Sequence, residues 1–454
     1  MSSPISPNLE RIETDIITLT QSYGPRPHGS QAARLAAMYV RDQLIDAGWE
    51  PQFIHLAENI VSCKGMGTHL FLAHTDSVAQ SPGVIDNAVG VSILLEIARQ
   101  TTEPDLCLGF PAAEELGFIG SKYLSNQLHK WHPNPDELKL VMALDLTGYG
   151  SLSITGLGPL WNTSRLQWLY AQTQPHSPYA YQVVSNAFPH MERSDHGPFA
   201  AKGILSAHLL GRGPSGVFPE YHQANDRYYN IDAIAETFEA LLAITESEET
   251  VPDHQSILEP GLVFGQNVVP GWMVWTVLIF GIASGILEFR QFKKLIPMLI
   301  HGLIATIFAS VPMIVLTHGY FFEPSPAEIT AQNVNGMPAT GWWMGSTWVS
   351  LAGAVAWIAW RQKRQIRGPG ALLSSLFTVG GLLISPLFAF PFAIAAILHR
   401  LTPIAALLPA AYWLQPAILR ELTFHGLVPP IFWGLFWLMA MPAIVVNSKD
   451  SPDA

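Results

Sequence analysis

Five short stretches of the chain each end an apolar run with an acid or a histidine. LAHTDS supplies His74 and Asp76, GVIDNAVG supplies Asp86, PAAEELG supplies Glu114 and Glu115, ALDLTG supplies Asp145, and EYHQAND supplies His222. Taken singly, each has an ordinary explanation, because acids cap turns at strand ends and a loop histidine is usually solvated. Their joint placement after consecutive apolar runs is harder to obtain from solvated surface residues. His, Asp and Glu without Cys form a donor set suited to zinc, or to cobalt or manganese. In His74-Thr75-Asp76 the i and i+2 side chains of an extended chain point the same way. Asp76 is therefore placed to accept a proton from the second ring nitrogen of His74 and fix its tautomer. Glu114 and Glu115, being adjacent, must point apart, which suits one to ligate a metal and the other to reach a water as a base.

Strands and helices must alternate for these residues to converge. Runs of strand length occur at 69–73, 105–113, 138–146 and 204–210, with helical apolar spacing at 30–48, 89–100, 116–128 and 232–247. This alternation predicts an α/β fold: a three-layer, mostly parallel (mixed) sheet with helices on both faces. In such sheets ligands bind beyond the carboxyl ends of the strands, where the acids and histidines fall.

The two halves of the 454-residue chain differ in kind. Residues 1–260 hold 14 Lys+Arg against 29 Asp+Glu, a net −15, and residues 261–454 hold 10 against 6, a net +4. The acidic half disfavours nucleic acid as a partner. From about Leu262 long apolar runs dominate, at 268–287, 295–318, 341–360 and 371–398, with weaker ones near 402–419 and 427–446. Each of the first four reaches the ~20 residues that cross a bilayer. The reading is a soluble domain at 1–247, an acidic linker at 248–267, an α-helical transmembrane domain of five to six helices at 268–446, and a polar tail at 447–454. The lipid bilayer is thus an expected partner. The basic loops EFRQFKK (288–294) and RQKRQIR (361–367) place those loops in the cytoplasm and the N-terminal domain outside it. Against this, MSSPISPNLERIETDI shows neither a basic n-region nor an apolar h-region, so no secretory signal is visible. Cys63 and Cys107 read as buried structural thiols that leave the redox compartment undecided.

The ordered set HTD, DNAVG, EE, Asp145 and His222 resembles the M28 family of di-zinc metallopeptidases, which includes aminopeptidases. The likeness runs over most of residues 20–235. GPRPHGS (24–30) is similar to the segment before the family's long helix, and RSDHGPFAAKGI (193–204) to its SDHxPF stretch. Two departures are small, DNAVG for DNASG and YHQAND for YHTxxD. The resemblance implies two Zn2+ ions, or Co2+ or Mn2+, with His74 and Asp145 on one ion, Glu115 and His222 on the other, and Asp86 between them. It further implies Glu114 as general base, Asp76 behind His74, Tyr221 as an oxyanion donor, Asp195 and His196 in the pocket wall, and a cis peptide at Asp86-Asn87. The implied substrate is a peptide cut at its amino terminus. Competing readings are a glutaminyl cyclase on the same scaffold, an M20 peptidase, for whose lid the chain has little room, and a non-catalytic membrane receptor or assembly subunit. Residue preference and oligomeric state are not legible.

Overall fold

The computed structural model of the protein describes residues 6–55, 58–102, 105–157, 160–175, 194–212, 218, 220–247, 249–252, 260–264, 267–287, 289, 370–383, 385–398 and 408–413. Two compact units result, Met1–Ile257 with Val263–Val268, and Leu258–Leu262 with Val269–Ala454.

The first unit is built on a seven-stranded sheet. Its strands are β1 (Gln52–Phe53), β2 (Ile60–Lys64), β3 (His69–Leu72), β4 (Leu106–Phe110), β5 (Leu140–Leu144), β6 (Ser151–Thr155) and β7 (Ser206–Arg212), in the order β1-β2-β4-β3-β5-β7-β6. The four central strands β4, β3, β5 and β7 are parallel, and they are the four apolar runs of the sequence. Antiparallel pairing brings β1 to β2, β2 to β4 and β6 to β7. Half of the ladders are therefore antiparallel, so the sheet is mixed, with parallel pairing confined to its centre.

Alternation along the strands feeds two cores. Phe71, Leu106, Leu108, Phe110, Leu140, Met142 and Leu144 point to one face. Leu70, Leu72, Cys107, Val141 and Ala143 point to the other, against Leu124, Trp131 and Phe199. This period of two, with both faces buried, produces the three layers. The larger layer holds α1 (Leu9–Ile17), α2 (Gln31–Asp46), α3 (Val89–Gln100) and the helix Ile231–Glu246; α4 (Ile119–Asn126) lies on the opposite face. Helix α3 is buried from Val89 to Ala98, which fits its nearly continuous apolar sequence. Side chains at the helix starts accept main-chain N–H groups, Asn8 from Arg11 at 3.1 Å and Ser30 from Ala33 at 3.0 Å. Removing a side chain such as Phe71, fully buried, would cost about 3–5 kcal/mol.

The cysteines correct the sequence reading. Cys63 on β2 is registered opposite Cys107 on β4, and the two form a disulfide. Their separation of 44 residues carries no hint of this, since the pairing of β2 with β4 across the intervening β3 decides it.

In the second unit, helices at Gly271–Ile286, Gly370–Gly381 and Pro386–Leu398 pack through small residues. A Cβ at Gly281 would lie 2.6 Å from Ala393, and the Ser375 hydroxyl donates to the Gly281 carbonyl at 2.6 Å. The run 371–398, expected as one span, is two helices. Pro386 opens the second, and the Ser385 hydroxyl accepts the N–H of Phe388. Among the described residues no helix is long and apolar enough to cross a membrane. The expected spans at 295–318, 341–360 and 427–446 lie outside the described residues, as does most of 402–419, of which Leu408–Trp413 is helical.

Candidate metal centre

Parallel pairing brings the carboxyl ends of β3, β4 and β5 to one edge of the sheet, and the chain leaves each strand carrying candidate ligands. Beyond β3 and β4 the pairing continues, with Ala73 N–H donating to Gly109 at 3.1 Å and Thr75 N–H to Pro111 at 3.0 Å. That continuation sets His74 beside the turn bearing Glu114 and Glu115. The turn is tight: Ala113 has φ +57°, and the N–H groups of Gly117 and Phe118 both donate to the Glu114 carbonyl at 2.8 Å. After β5, Asp145 N–H is held by Leu209 at 3.0 Å. The Asp86 loop is tied to β5 by Asn87 Nδ2 donating to the Leu144 carbonyl at 2.6 Å, and its Asp86-Asn87 peptide is cis. His222 takes φ +60° with its ring stacked on Tyr221, 3.8 Å between centroids.

Two clusters result. The candidate ligand atoms of His74, Glu114 and Asp145 lie within 4.8 Å of one another, and so do those of Asp86, Glu115 and His222. Asp86 joins them, its Oδ1 standing 3.2 Å from His74 Nε2 and its Oδ2 3.3 Å from His222 Nε2. His74 Nε2 is 3.8 Å from Asp145 Oδ1, and His222 Nε2 is 2.8 Å from Glu115 Oε2. Adjacent in the chain, Glu114 and Glu115 fall into different clusters.

Asp76 does more than the sequence reading assigns to it. Its carboxylate accepts the N–H groups of Glu114 at 3.1 Å and Glu115 at 3.3 Å, while its carbonyl oxygen lies 3.1 Å from His74 Nδ1. The carboxylate itself is 3.7 Å from that nitrogen. Asp76 thus faces His74 with both its carbonyl oxygen and its carboxylate, and the carboxylate also holds the two glutamates. An i, i+2 pattern does not distinguish these uses, because the choice depends on where the β4 turn arrives.

The site is buried and rich in carboxylates. Burial pushes Glu114 well above the ordinary carboxylate range, with Asp145, Asp195 and Glu115 adding to the rise against His74. Burial, then the neighbouring Asp86, lifts Glu115 to about 7. Asp86 is held below its ordinary value: burial opposes its charge, but the imidazoles of His222 and His74 overcome that. Burial opposes a charged His222 as well, yet Asp86 and Glu115 raise it to about 10. Such imidazoles compensate carboxylates in the way a cation would. His74 Nε2, Asp86 Oδ2, Asp145 Oδ1 and His222 Nε2 are buried, and none closes a well-directed hydrogen bond among the described residues. The hard-to-borderline donors, their burial and their convergence in two groups together fit the binding of divalent cations.

Around the clusters, Tyr221 is pushed well above its ordinary value by burial, then by Asp86 and Glu115, so its hydroxyl keeps its proton. Asp195 and His196 are both buried. Burial lifts Asp195 to about 7. His196 stacks on His208 at 5.5 Å, and a Cβ at Gly156, where φ is +67°, would come within 2.0 Å of its Nε2. His208 Nε2 in turn lies 3.9 Å from Asp145 Oδ2. Four contributors were not singled out in the sequence: Arg26, Asn87, His208 and Asp226. Arg26 and Asp226 sit in stretches already quoted, GPRPHGS and EYHQAND, but their partners are main-chain atoms, which leave no spacing pattern to read.

Residues 60–244 match the family model described as "Peptidase family M28". Aminopeptidase YwaD of Bacillus subtilis (strain 168) is 31% identical over 165 residues, 35% of this chain and 36% of that protein. Leupeptin-inactivating enzyme 1 of Streptomyces exfoliatus is 30% identical over 148 residues, 28% of this chain and 32% of that protein. The chain thus spans about a third of the length of these curated relatives. Among solved structures, BSAP, a zinc aminopeptidase from Bacillus subtilis, aligns with TM-score 0.44 and 14% identity over 53% of this chain and 95% of that one. A glutaminyl cyclase from Bacteroides thetaiotaomicron aligns with TM-score 0.43 and 17% identity over 54% and 100%. The matched stretch contains every candidate ligand from His74 to His222, so this part of the chain is similar to Peptidase family M28 where the ligands lie.

Proposed function

We propose that the N-terminal domain is a two-zinc peptidase that releases N-terminal residues from peptides. One observation carries the reading: the two oxygens of Asp86 are divided between His74 and His222, each imidazole lying in a separate cluster of ligand atoms. Relatives named as an aminopeptidase and as an enzyme inactivating leupeptin support a peptide substrate.

His74 and Asp145 would hold one ion, Glu115 and His222 the other, with Asp86 shared; Co2+ or Mn2+ would suit the same donors. Bound there, such ions would supply Lewis acidity and would lower the pKa of a water at the site. The rest is done by the chain. Glu114, whose turn is fixed by Asp76, takes the proton of the attacking water and returns it to the departing amine. Tyr221, held in its protonated form, donates to the oxygen of the carbonyl as charge develops there.

In this reading the apolar C-terminal half anchors the domain to a bilayer, and the domain lies outside the cytoplasm. Supporting that side are the basic stretches 288–294 and 361–367 and the Cys63–Cys107 disulfide, which is at home in an oxidising compartment. The test is metal content of the purified full chain together with hydrolysis of a panel of aminoacyl anilides. Two equivalents of zinc and amine release are expected. Cyclisation of N-terminal Gln without amine release would favour a glutaminyl cyclase, and intact cellular function of a Glu114→Gln chain would favour a scaffold.

A further inference from the structure

Two charged side chains outside the ligand set grip the loops that carry the ligands. Arg26 is 1% exposed, and its guanidinium is spent on main-chain carbonyls. Nε donates to Thr75 at 2.9 Å, within the His74-Thr75-Asp76 stretch. Nη1 donates to Pro82 at 2.7 Å and Nη2 to Gly83 at 3.1 Å, just before Asp86. Nη1 also reaches Leu19 at 2.9 Å and Gly24 at 3.2 Å, which fixes the guanidinium from behind. Its own N–H donates to Ser77 Oγ at 3.0 Å, and Ser77 N–H returns a bond to the Arg26 carbonyl at 3.2 Å. One planar group therefore spans the His74 loop and the Asp86 loop.

Asp226 grips the same loop from the opposite polarity. It is fully buried and accepts the N–H of Ile85 at 2.9 Å and of Asp86 at 3.3 Å, one on each carboxylate oxygen. Asp226 also closes the turn that directly follows His222, its N–H donating to the Gln223 carbonyl at 3.1 Å. The loop leaves no slack between the two grips. Gly83 sits at φ +62°, and a Cβ there would meet the Asp86 carbonyl at 2.4 Å and Arg26 Nη2 at 3.1 Å.

We propose that Arg26 and Asp226 are positioning residues that set the Asp86 carboxylate midway between His74 and His222, so that they govern cation affinity rather than folding alone. The inference rests on the two-metal reading and adds to it an asymmetry. Arg26 ties the Asp86 loop to the loop of the first cluster, whereas Asp226 ties it to the turn of the second. Weakening Arg26 should therefore affect both ions, and weakening Asp226 mainly the ion of Glu115 and His222.

The experiment is a Co2+ titration of the metal-free full chain in detergent, followed by visible absorption against a competing chelator, with circular dichroism and thermal unfolding of the metal-free protein alongside. Arg26→Lys keeps the charge but offers a point donor where several spread carbonyls need a planar fork. Asp226→Asn keeps the shape but leaves one acceptor for two N–H groups. The expected result is two equivalents for the wild type, both weakened roughly 10- to 100-fold in Arg26→Lys, and the second alone weakened to that degree in Asp226→Asn. Should Arg26→Lys fail to fold, Asp226→Asn and Ser77→Ala carry the test. Variants that bind both equivalents like the wild type, or that weaken only in step with lost dichroism, overturn the inference. A wild-type chain that takes up no Co2+ overturns the two-metal reading beneath it.

Discussion

Glu114 and Glu115 are consecutive residues whose carboxylates serve different clusters, Glu114 with His74 and Asp145, and Glu115 with Asp86 and His222. Asp76 enforces the split by accepting both of their N–H groups, so the turn cannot rotate to merge the two side chains. Different losses are expected from the two amides. Glu114→Gln should keep both zinc equivalents and lose about 10²- to 10⁴-fold in kcat, the usual contribution of a general base. Glu115→Gln should lose the second ion at stoichiometric loading. Metal analysis beside single-turnover rates separates the two, and loss of both ions in Glu114→Gln would reassign it as a ligand.

Tyr221 stacks on the ring of His222, so its hydroxyl and the second cluster are positioned together. Tyr221→Phe keeps the ring, and with it the stack, but removes the donor. A fall of roughly 10²- to 10³-fold in kcat, with metal content unchanged and KM little moved, is expected of a lost oxyanion donor. An unchanged kcat would leave only His222 of this stretch with a role.

The candidate ligands were legible because each follows an apolar strand of the central parallel sheet, where ligand-binding loops of α/β folds lie. The outer antiparallel strands were not: Ile60–Lys64 and Ser151–Thr155 mix polar and apolar residues in short runs, and their pairing with β4 and β7 makes strands of them. Helix α1, LERIETDII, is short and half polar, and its seat on the fold is set by Arg11 reaching Glu96 on α3. Groups that act on the backbone, such as Arg26, Asp226 and the Asp76 carboxylate, have partners set by loop geometry. No spacing rule in the sequence reports them.

Glu96 makes the acid limb of stability predictable. Its side chain is 0% exposed, and it accepts from Arg11 Nε at 3.0 Å, Arg11 Nη2 at 2.6 Å and the N–H of Asn8 at 3.0 Å. Burial opposes its charge, but the bonds from Arg11, Gln100 and Asn8 hold its pKa below the ordinary value. A carboxylate depressed in the folded state contributes stability that is complete above its unfolded pKa, about 4.3, and is lost as pH falls through the folded value. Glu96→Gln should therefore cost about 1–3 kcal/mol near neutral pH, and its stability should fall less steeply than the wild type's below about pH 4.5. Urea unfolding of the metal-free protein across pH 3–7 checks this, and parallel wild-type and variant curves would exclude Glu96 as a source of the acid limb.

The Cys63–Cys107 bridge joins β2 to β4 across 44 residues of chain that include His74 and Asp86. Closing a loop of that length restricts the unfolded chain, which in the entropic account is worth up to about 4 kcal/mol. Reductant, or paired Cys63→Ser and Cys107→Ser changes, should lower the urea midpoint of the metal-free protein accordingly. The same bridge tests the proposal that the domain lies outside the cytoplasm. On an oxidising side, the thiols of the denatured protein from freshly quenched cells stay closed to maleimide until reductant is added. On the cytoplasmic side they label without it. Labelling without reductant would move the domain into the cytoplasm while leaving the metal centre and its chemistry untouched.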